Sequence, residues 1–316
     1  MRIEEKIMCV TCGCSDDAEV KIINTETNEV AVISSQNEHH HHAHTSPEDT
    51  VISHSHNHDS HHIHTHTLSD GTVVSHSHSH DSISEASQIH AQVHSTTISL
   101  EQDILAKNNL IAAQNRGWFK GRNIVALNLM SSPGSGKTTL LTRTINDLKH
   151  QLSISVIEGD QETINDAKKI QETGCKVVQI NTGTGCHLDA VMVEQGLQQL
   201  NPPLNSVVMI ENVGNLVCPA LFDLGEHLKV VILSVTEGED KPIKYPHIFR
   251  ASEMMILTKI DLLTHVQFDV QRCIEYAQQV NPQIQVFQVS ALTGTGLESW
   301  YKWLSERVRN SSQVYP

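Results

Sequence analysis

Three cysteines fall close together in Cys9-Val-Thr-Cys12-Gly-Cys14, and a second group, Cys186-His187 with Cys218, lies far down the chain. Thiolates are soft ligands that suit Zn2+, and a compact tetragonal N/S arrangement suits Ni2+. The first group leaves a fourth position open, because no further Cys or His follows at zinc-knuckle spacing. The second is an incomplete tetrahedron of two thiolates and an imidazole, to be finished by water or by a second subunit. Redox or incidental cysteines are the bland alternative for the first group, and packing for the second. The isolated Cys175 and Cys273 read as packing residues. Seven cysteines used in this way point to metal chemistry in a reducing compartment rather than to a disulfide framework.

A different chemistry belongs to the run from Ser131 to Thr139, S-S-P-G-S-G-K-T-T. Gly136, Lys137 and Thr138 fit the G-K-[ST] end of a phosphate-binding loop, while Ser131 stands where the first glycine usually does. Backbone N–H groups through Gly134, Ser135, Gly136 and Thr139 can wrap phosphates at the positive end of the helix that starts near Lys137. Lys137 would bridge the β- and γ-phosphates, and Thr138 would ligate Mg2+. The bland alternative is an ordinary strand-turn-helix with incidental glycines. Further on, Thr258-Lys259-Ile260-Asp261 and Ser290-Ala291 form a guanine-reading set. Asp261 can accept two hydrogen bonds from guanine N1 and N2, the Lys259 stem can lie along the purine, and the Ser290-Ala291 backbone can meet O6. The usual motif begins with Asn; here it begins with Thr258. Glu211 is the acid at the Walker B position, and Asp160 and Asp166 are candidates to hold Mg2+ or orient water.

Positioning these groups takes a parallel sheet. Seven mostly continuous apolar runs read as strands: Ile124 to Ser131, Ile154 to Glu158, Val177 to Asn181, Val207 to Glu211, Val230 to Val235, Met254 to Thr258, and Ile284 to Val289. Such runs are expected where both faces are covered by helices, so the spacing predicts an α/β fold with ligands at the strands' C-terminal ends. A polar-rich helix is expected before the first strand, over Leu100 to Trp118.

The N-terminal region differs in kind. Residues 1–100 hold 3 Lys+Arg against 14 Asp+Glu, and the whole chain of 316 residues carries a formal net charge of −14. An acidic chain without a basic tract offers no electrostatic case for nucleic acid or an anionic membrane as partner. Nothing resembles a signal peptide or a membrane span, which predicts a cytoplasmic protein. Between His39 and His94 lie 17 of the 22 histidines, among Ser, Thr, Asn and Asp. Too few apolar residues are present to offset the entropy of ordering, so residues 39–99 are expected to be a disordered tract binding several Ni2+, Zn2+ or Cu2+ ions weakly. The domains expected are thus a metal-motif segment over 1–38, the histidine tract over 39–99, and a nucleotide-hydrolysing domain over 100–316.

Taken together, M-C-V-T-C-G-C at Met8, S-S-P-G-S-G-K-T-T-L-L at Ser131, I-E-G-D-Q-E-T-I-N-D-A at Ile157, N-T-G-T-G-C-H-L-D-A at Asn181, I-E-N-V-G-N-L-V-C-P-A at Ile210 and S-V-T-E-G-E-D-K-P-I-K-Y-P at Ser234 resemble the hydrogenase nickel-incorporation GTPase family, HypB. The resemblance implies a P-loop GTPase of the SIMIBI type that hydrolyses GTP slowly to GDP and phosphate. It also implies nucleotide- and metal-dependent homodimerisation, a metal site at Cys186, His187 and Cys218, and a tight nickel site at Cys9, Cys12 and Cys14. Other hydrogenase-maturation proteins and the large subunit of [NiFe] hydrogenase are the implied partners. Relatives begin with Met directly before the Cys motif, whereas seven residues precede Met8 here. Initiation at Met8 would put a free α-amine beside Cys9 as a fourth nickel donor. A nickel store or detoxifying buffer, a urease-maturation GTPase, and a small-molecule kinase using the same loop are the rival readings.

Overall fold

Alternation along buried strands is the feature that builds this molecule. In the strand carrying the phosphate loop, Leu127 and Leu129 point into one apolar cluster while Ile124 and Ala126, from the same run, point into another. A strand buried on both faces needs helices above and below it. The computed structural model describes residues 20–25, 27, 30–33, 62–67, 73–78, 83–161 and 163–312.

Among the described residues the order is β1 (Val20–Asn24), β2 (Val30–Ile33), β3 (His62–Thr67), β4 (Val73–His78), α1 (Ile83–Gly121), β5 (Val125–Ser131), α2 (Lys137–Leu148), β6 (Ile154–Asp160), α3 (Asn165–Gln171), β7 (Lys176–Asn181) and α4 (Ala190–Leu200). The chain continues through β8 (Val207–Glu211), the short α5 (Cys218–Leu221), β9 (Leu228–Ser234), α6 (Lys241–Lys244), α7 (Pro246–Ala251), β10 (Met254–Thr258), a 3-10 turn at Ile260–Leu262, α8 (Val270–Val280), β11 (Gln285–Gln288) and α9 (Leu297–Ser312). Two compact units result, one of residues 1–34 with 101–316 and one of residues 35–100.

In the larger unit the sheet order is β11-β10-β9-β5-β8-β6-β7-β1-β2. The seven strands from β5 to β11 pair in parallel, at positions close to those read from the sequence. The sheet is wider than expected. Val20–Asn24 and Val30–Ile33, assigned by sequence to a separate metal-motif segment, form a hairpin that extends the sheet antiparallel on β7. Ile22 is its anchor, buried with Phe119 of α1 and Leu197 of α4, and the Thr25 hydroxyl donates to Val177 O at 2.8 Å. The smaller unit contains an antiparallel β3-β4 pair inside the histidine tract, where a disordered chain was expected. The helix before β5 also begins earlier than expected, at Ile83 rather than near Leu100.

Helices α2, α3 and α9 cover one part of the sheet; α1 and α4, and separately α7 and α8, close the rest. Trp300 of α9 is fully buried and its indole N–H donates to Thr144 Oγ1 at 3.1 Å, which satisfies the one polar atom of a large apolar ring. No helix among the described residues is long and apolar enough to cross a membrane.

Candidate functional site

The C-terminal ends of β5, β6, β8 and β10 converge on a cavity of about 460 Å3. Its floor is the loop from Pro133 to Thr139. Gly136 sits there at φ 91, a left-handed conformation that glycine adopts without the steric cost of a Cβ, and it delivers the chain into the first turn of α2. The Lys137 ammonium donates to Ser131 Oγ at 2.9 Å, so the serine in the first-glycine position gives the lysine a local partner. The Thr138 hydroxyl donates to Glu211 Oε1 at 2.6 Å across β8.

Acids crowd the opposite wall. Glu211 is 3% exposed, and burial raises its carboxyl pKa while the Lys137 charge and the Thr138 hydrogen bond oppose that rise. Glu158, at the end of β6 and in register with Glu211 on the neighbouring strand, is equally buried and is pushed up to about 9 by burial and by the nearby Glu211, Asp160 and Asp166 charges. One oxygen of each, Oε2, is buried without a hydrogen-bond partner. Two such oxygens beside a threonine hydroxyl are the donor chemistry of a hard divalent cation, so these residues fit Mg2+. Asp160 and Asp166 also line the cavity. Asp160 is occupied locally, accepting from the Gln161 and Thr163 backbone N–H groups at 2.8 and 3.0 Å, and Asp166 pairs with Lys169 at 2.8 Å. In the sequence Glu158 is only the last residue of the second apolar run; its place opposite Glu211 comes from the fold.

The base-reading residues are tied to the phosphate loop. Thr258, standing where Asn is usual, donates from its hydroxyl to Ser135 O at 2.6 Å, and Lys259 donates to Gly134 O at 2.7 Å. Asp261 accepts a hydrogen bond from the Ser290 hydroxyl, which fixes the carboxylate beside the Ser290-Ala291 turn. Arg143 of α2 donates to Ala291 O at 3.1 Å, joining that turn to the same helix that carries Lys137.

The ligand atoms of Cys186, His187 and Cys218 lie within 4.8 Å of one another. Cys218 is remote in sequence from the adjacent Cys186 and His187; the fold joins them because Cys218 opens α5 just after β8 while Cys186 and His187 follow β7. The His187 ring stacks on Phe222 at 3.9 Å between centroids. Burial depresses its pKa to about 4, so the imidazole is a neutral donor at pH 7. That depression predicts a pH effect: metal-free protein keeps this contribution to stability above 6.5 and loses it as pH falls toward 4, by at most about 1.4 kcal/mol per pH unit. Denaturant midpoints between pH 4 and 7 should flatten for His187→Gln relative to the parent; identical slopes would contradict the assignment.

Three contacts connect this cluster with the nucleotide cavity. Asn215 donates to Cys186 O at 3.3 Å, Gln161 donates to Gly185 O at 3.3 Å, and the Asn212 side-chain oxygen accepts from Leu188 N at 3.1 Å. Gly214 packs so closely that an added Cβ would meet Pro133 of the phosphate loop at 3.0 Å. Cys9, Cys12 and Cys14 lie outside the described residues.

The fold and the nucleotide cavity define a P-loop nucleotide-binding protein with a mainly parallel sheet, the phosphate-loop strand lying beside the strand that ends in the Walker acid. The model of the CobW/HypB/UreG nucleotide-binding domain matches residues 125–288. A hydrogenase maturation factor HypB from Rhizobium leguminosarum bv. viciae is 60% identical over 207 residues, 66% of this chain and 69% of that protein. The crystal structure of HypB from Archaeoglobus fulgidus superposes with a TM-score of 0.61 at 37% identity, over 65% of this chain and 100% of that one. HypB from Helicobacter pylori, solved in complex with nickel, gives the same TM-score and identity over 65% of this chain and 96% of that one. The chain therefore belongs to the hydrogenase maturation factor HypB family, and it is a GTPase.

Proposed function

We propose that this protein is a nickel metallochaperone in which GTP hydrolysis controls a metal site and Ni2+ passes to the large subunit of [NiFe] hydrogenase. The observation that carries the reading is one short segment: Glu211 accepts from the Thr138 hydroxyl, and Cys218, seven residues on, brings its thiol within 4.8 Å of the Cys186 and His187 ligand atoms. Lys137 and the loop amides from Gly134 to Thr139 hold the phosphates, and Lys259, Asp261, Ser290 and Ala291 hold guanine. Thr138 and Glu211 hold Mg2+, which supplies charge neutralisation at the β- and γ-phosphates. Asp160 and Asp166 stand on the γ-phosphate side, poised to exchange their local partners for the cation shell or the attacking water. Loss of γ-phosphate then relaxes the segment from Glu211 to Cys218, and Asn215 and Gln161 pass the change to the Cys186 loop.

In this reading Cys186, His187 and Cys218 take Ni2+ or Zn2+, with a second copy of the chain completing the coordination in a nucleotide-dependent homodimer. Cys9, Cys12 and Cys14 hold one tight Ni2+, and the histidine tract stores more. The work is cytoplasmic, with other hydrogenase-maturation proteins as partners, and turnover is slow. The test is hydrogenase activity in a strain lacking the protein, with and without excess nickel. Loss of activity that excess nickel restores supports delivery. Normal activity combined with nickel sensitivity would instead favour a storage or detoxifying protein, the reading that 17 tract histidines support.

At the cluster itself, Cys218→Ser should weaken metal binding roughly 10- to 100-fold or more while leaving the GDP affinity of the metal-free protein nearly unchanged. A chelator-competition titration with the tract and the N-terminal motif deleted reads this out. Unchanged metal affinity would remove Cys218 from the site.

A further inference from the structure

Glu158 has no assigned role, yet its setting is unusual. Its Cα lies opposite that of Glu211 on adjacent parallel strands, so the two carboxyl groups emerge side by side into the cavity behind Lys137 and Thr138. Both side chains are 3% exposed, and each leaves a buried Oε2 without a partner. Asp160, Asp166 and Glu211 face Glu158 as like charges and Lys137 as the one counter-charge. A buried carboxyl oxygen facing mostly acids and lacking a donor is unfavourable for the fold alone. It becomes favourable when donors arrive with a ligand.

We propose that Glu158 is a further positioning residue of the GTPase site, accepting hydrogen bonds from the water shell of the nucleotide-bound divalent cation and so coupling cation binding to nucleotide binding. Inner contacts go to Thr138 and Glu211, which the Thr138–Glu211 hydrogen bond already brings together at 2.6 Å. Glu158 stands one strand further from the phosphate loop, since β6 pairs with β8 and β8 with β5. From that distance it can serve as an outer partner to coordinated water. Outer partners of this kind orient the shell and tune affinity. Without the cation, burial and the acids facing it keep the Glu158 carboxyl largely protonated, so its charge develops only as the cation arrives and cation-free nucleotide affinity is left nearly untouched. The proposal rests on the reading of Thr138 and Glu211 as the cation's protein ligands.

The experiment measures GDP affinity of the full chain in EDTA and in saturating Mg2+, by fluorescence of a labelled GDP, for the parent, Glu158→Gln and Glu211→Gln. The quantity of interest is the ratio of the two dissociation constants. Glu158→Gln keeps the side chain's shape, and its ratio of the EDTA to the Mg2+ dissociation constant should fall roughly 10- to 100-fold, with EDTA-state affinity close to the parent's. A residue that only packs would shift the melting temperature and leave the ratio alone. If Glu211→Gln loses the coupling and Glu158→Gln keeps it, the role given to Glu158 is overturned while the cation reading stands. If both keep it, the cation reading falls and the proposal falls with it. Should Glu158→Gln fold poorly, Glu158→Asp, which retains charge but shortens reach, must still lower the ratio; an unchanged ratio there overturns the proposal as well.

Discussion

Lys137→Ala is expected to lower GTP turnover by at least about 10^2- to 10^3-fold, the cost of removing one charge-stabilising donor from a phosphoryl-transfer site. Lys137 is the cation of the phosphate loop and its ammonium is held at Ser131, beside the loop amides rather than out in solvent. Among the described residues, the other lysines lining the cavity are committed elsewhere. Lys259 lines the cavity but is committed to Gly134 O on the base side, and Lys169 is paired with Asp166. Nickel at Cys9, Cys12 and Cys14 should be retained by the variant, because that motif lies far from the phosphate loop in the chain. Phosphate release and nickel stoichiometry, measured on one preparation, separate the two effects. Unaltered turnover would rule out the role given to Lys137.

Nucleotide choice should show an effect of similar size. A carboxylate placed to accept from guanine N1 and N2 faces an adenine that offers it no matching donors, and a site built on substrate hydrogen bonds rejects such an analogue by about 10^4-fold. The parent protein should therefore bind GTP over ATP by several powers of ten. Asp261→Asn should reverse the preference toward xanthosine triphosphate, whose ring presents an acceptor where guanine presents its amino group. The Ser290 hydroxyl already orients the Asp261 carboxylate, which favours one arrangement of acceptors toward the base. Competition binding with the three triphosphates decides the matter; equal affinity for ATP and GTP would contradict the base assignment.

Much of this was legible in the residues. Runs such as Val207 to Glu211 are apolar at every position before the terminal acid, a pattern that a strand covered on both faces produces and a surface strand does not. The C-H…C cluster was readable because each member follows a predicted strand end, where parallel topology gathers loops. Two features were not readable. The hairpin of β1 and β2 consists of short segments anchored by the buried Ile22, and its reason for being a sheet edge is the unpaired side of β7, a partner remote in sequence. Glu158 looked like a strand terminus because nothing local distinguishes a cavity-facing acid from a solvent-facing one. Its meaning depends on the register with Glu211. Thr258 illustrates a third case. It stands where the usual motif has Asn, and its hydroxyl bond to Ser135 O links base loop and phosphate loop directly, a contact that depends on the folded arrangement.

The proposed mechanism puts a nucleotide-sensing acid, Glu211, and a metal ligand, Cys218, on one segment, and through that segment it couples the two sites. The most direct test is a metal titration of protein lacking the histidine tract and the N-terminal cysteines, run once with GDP and once with a non-hydrolysable GTP analogue. The account predicts that Ni2+ or Zn2+ affinity at Cys186, His187 and Cys218 differs between the two states by about 5- to 150-fold, and that the metal changes nucleotide affinity by the same factor. Identical metal affinity in both nucleotide states would contradict it.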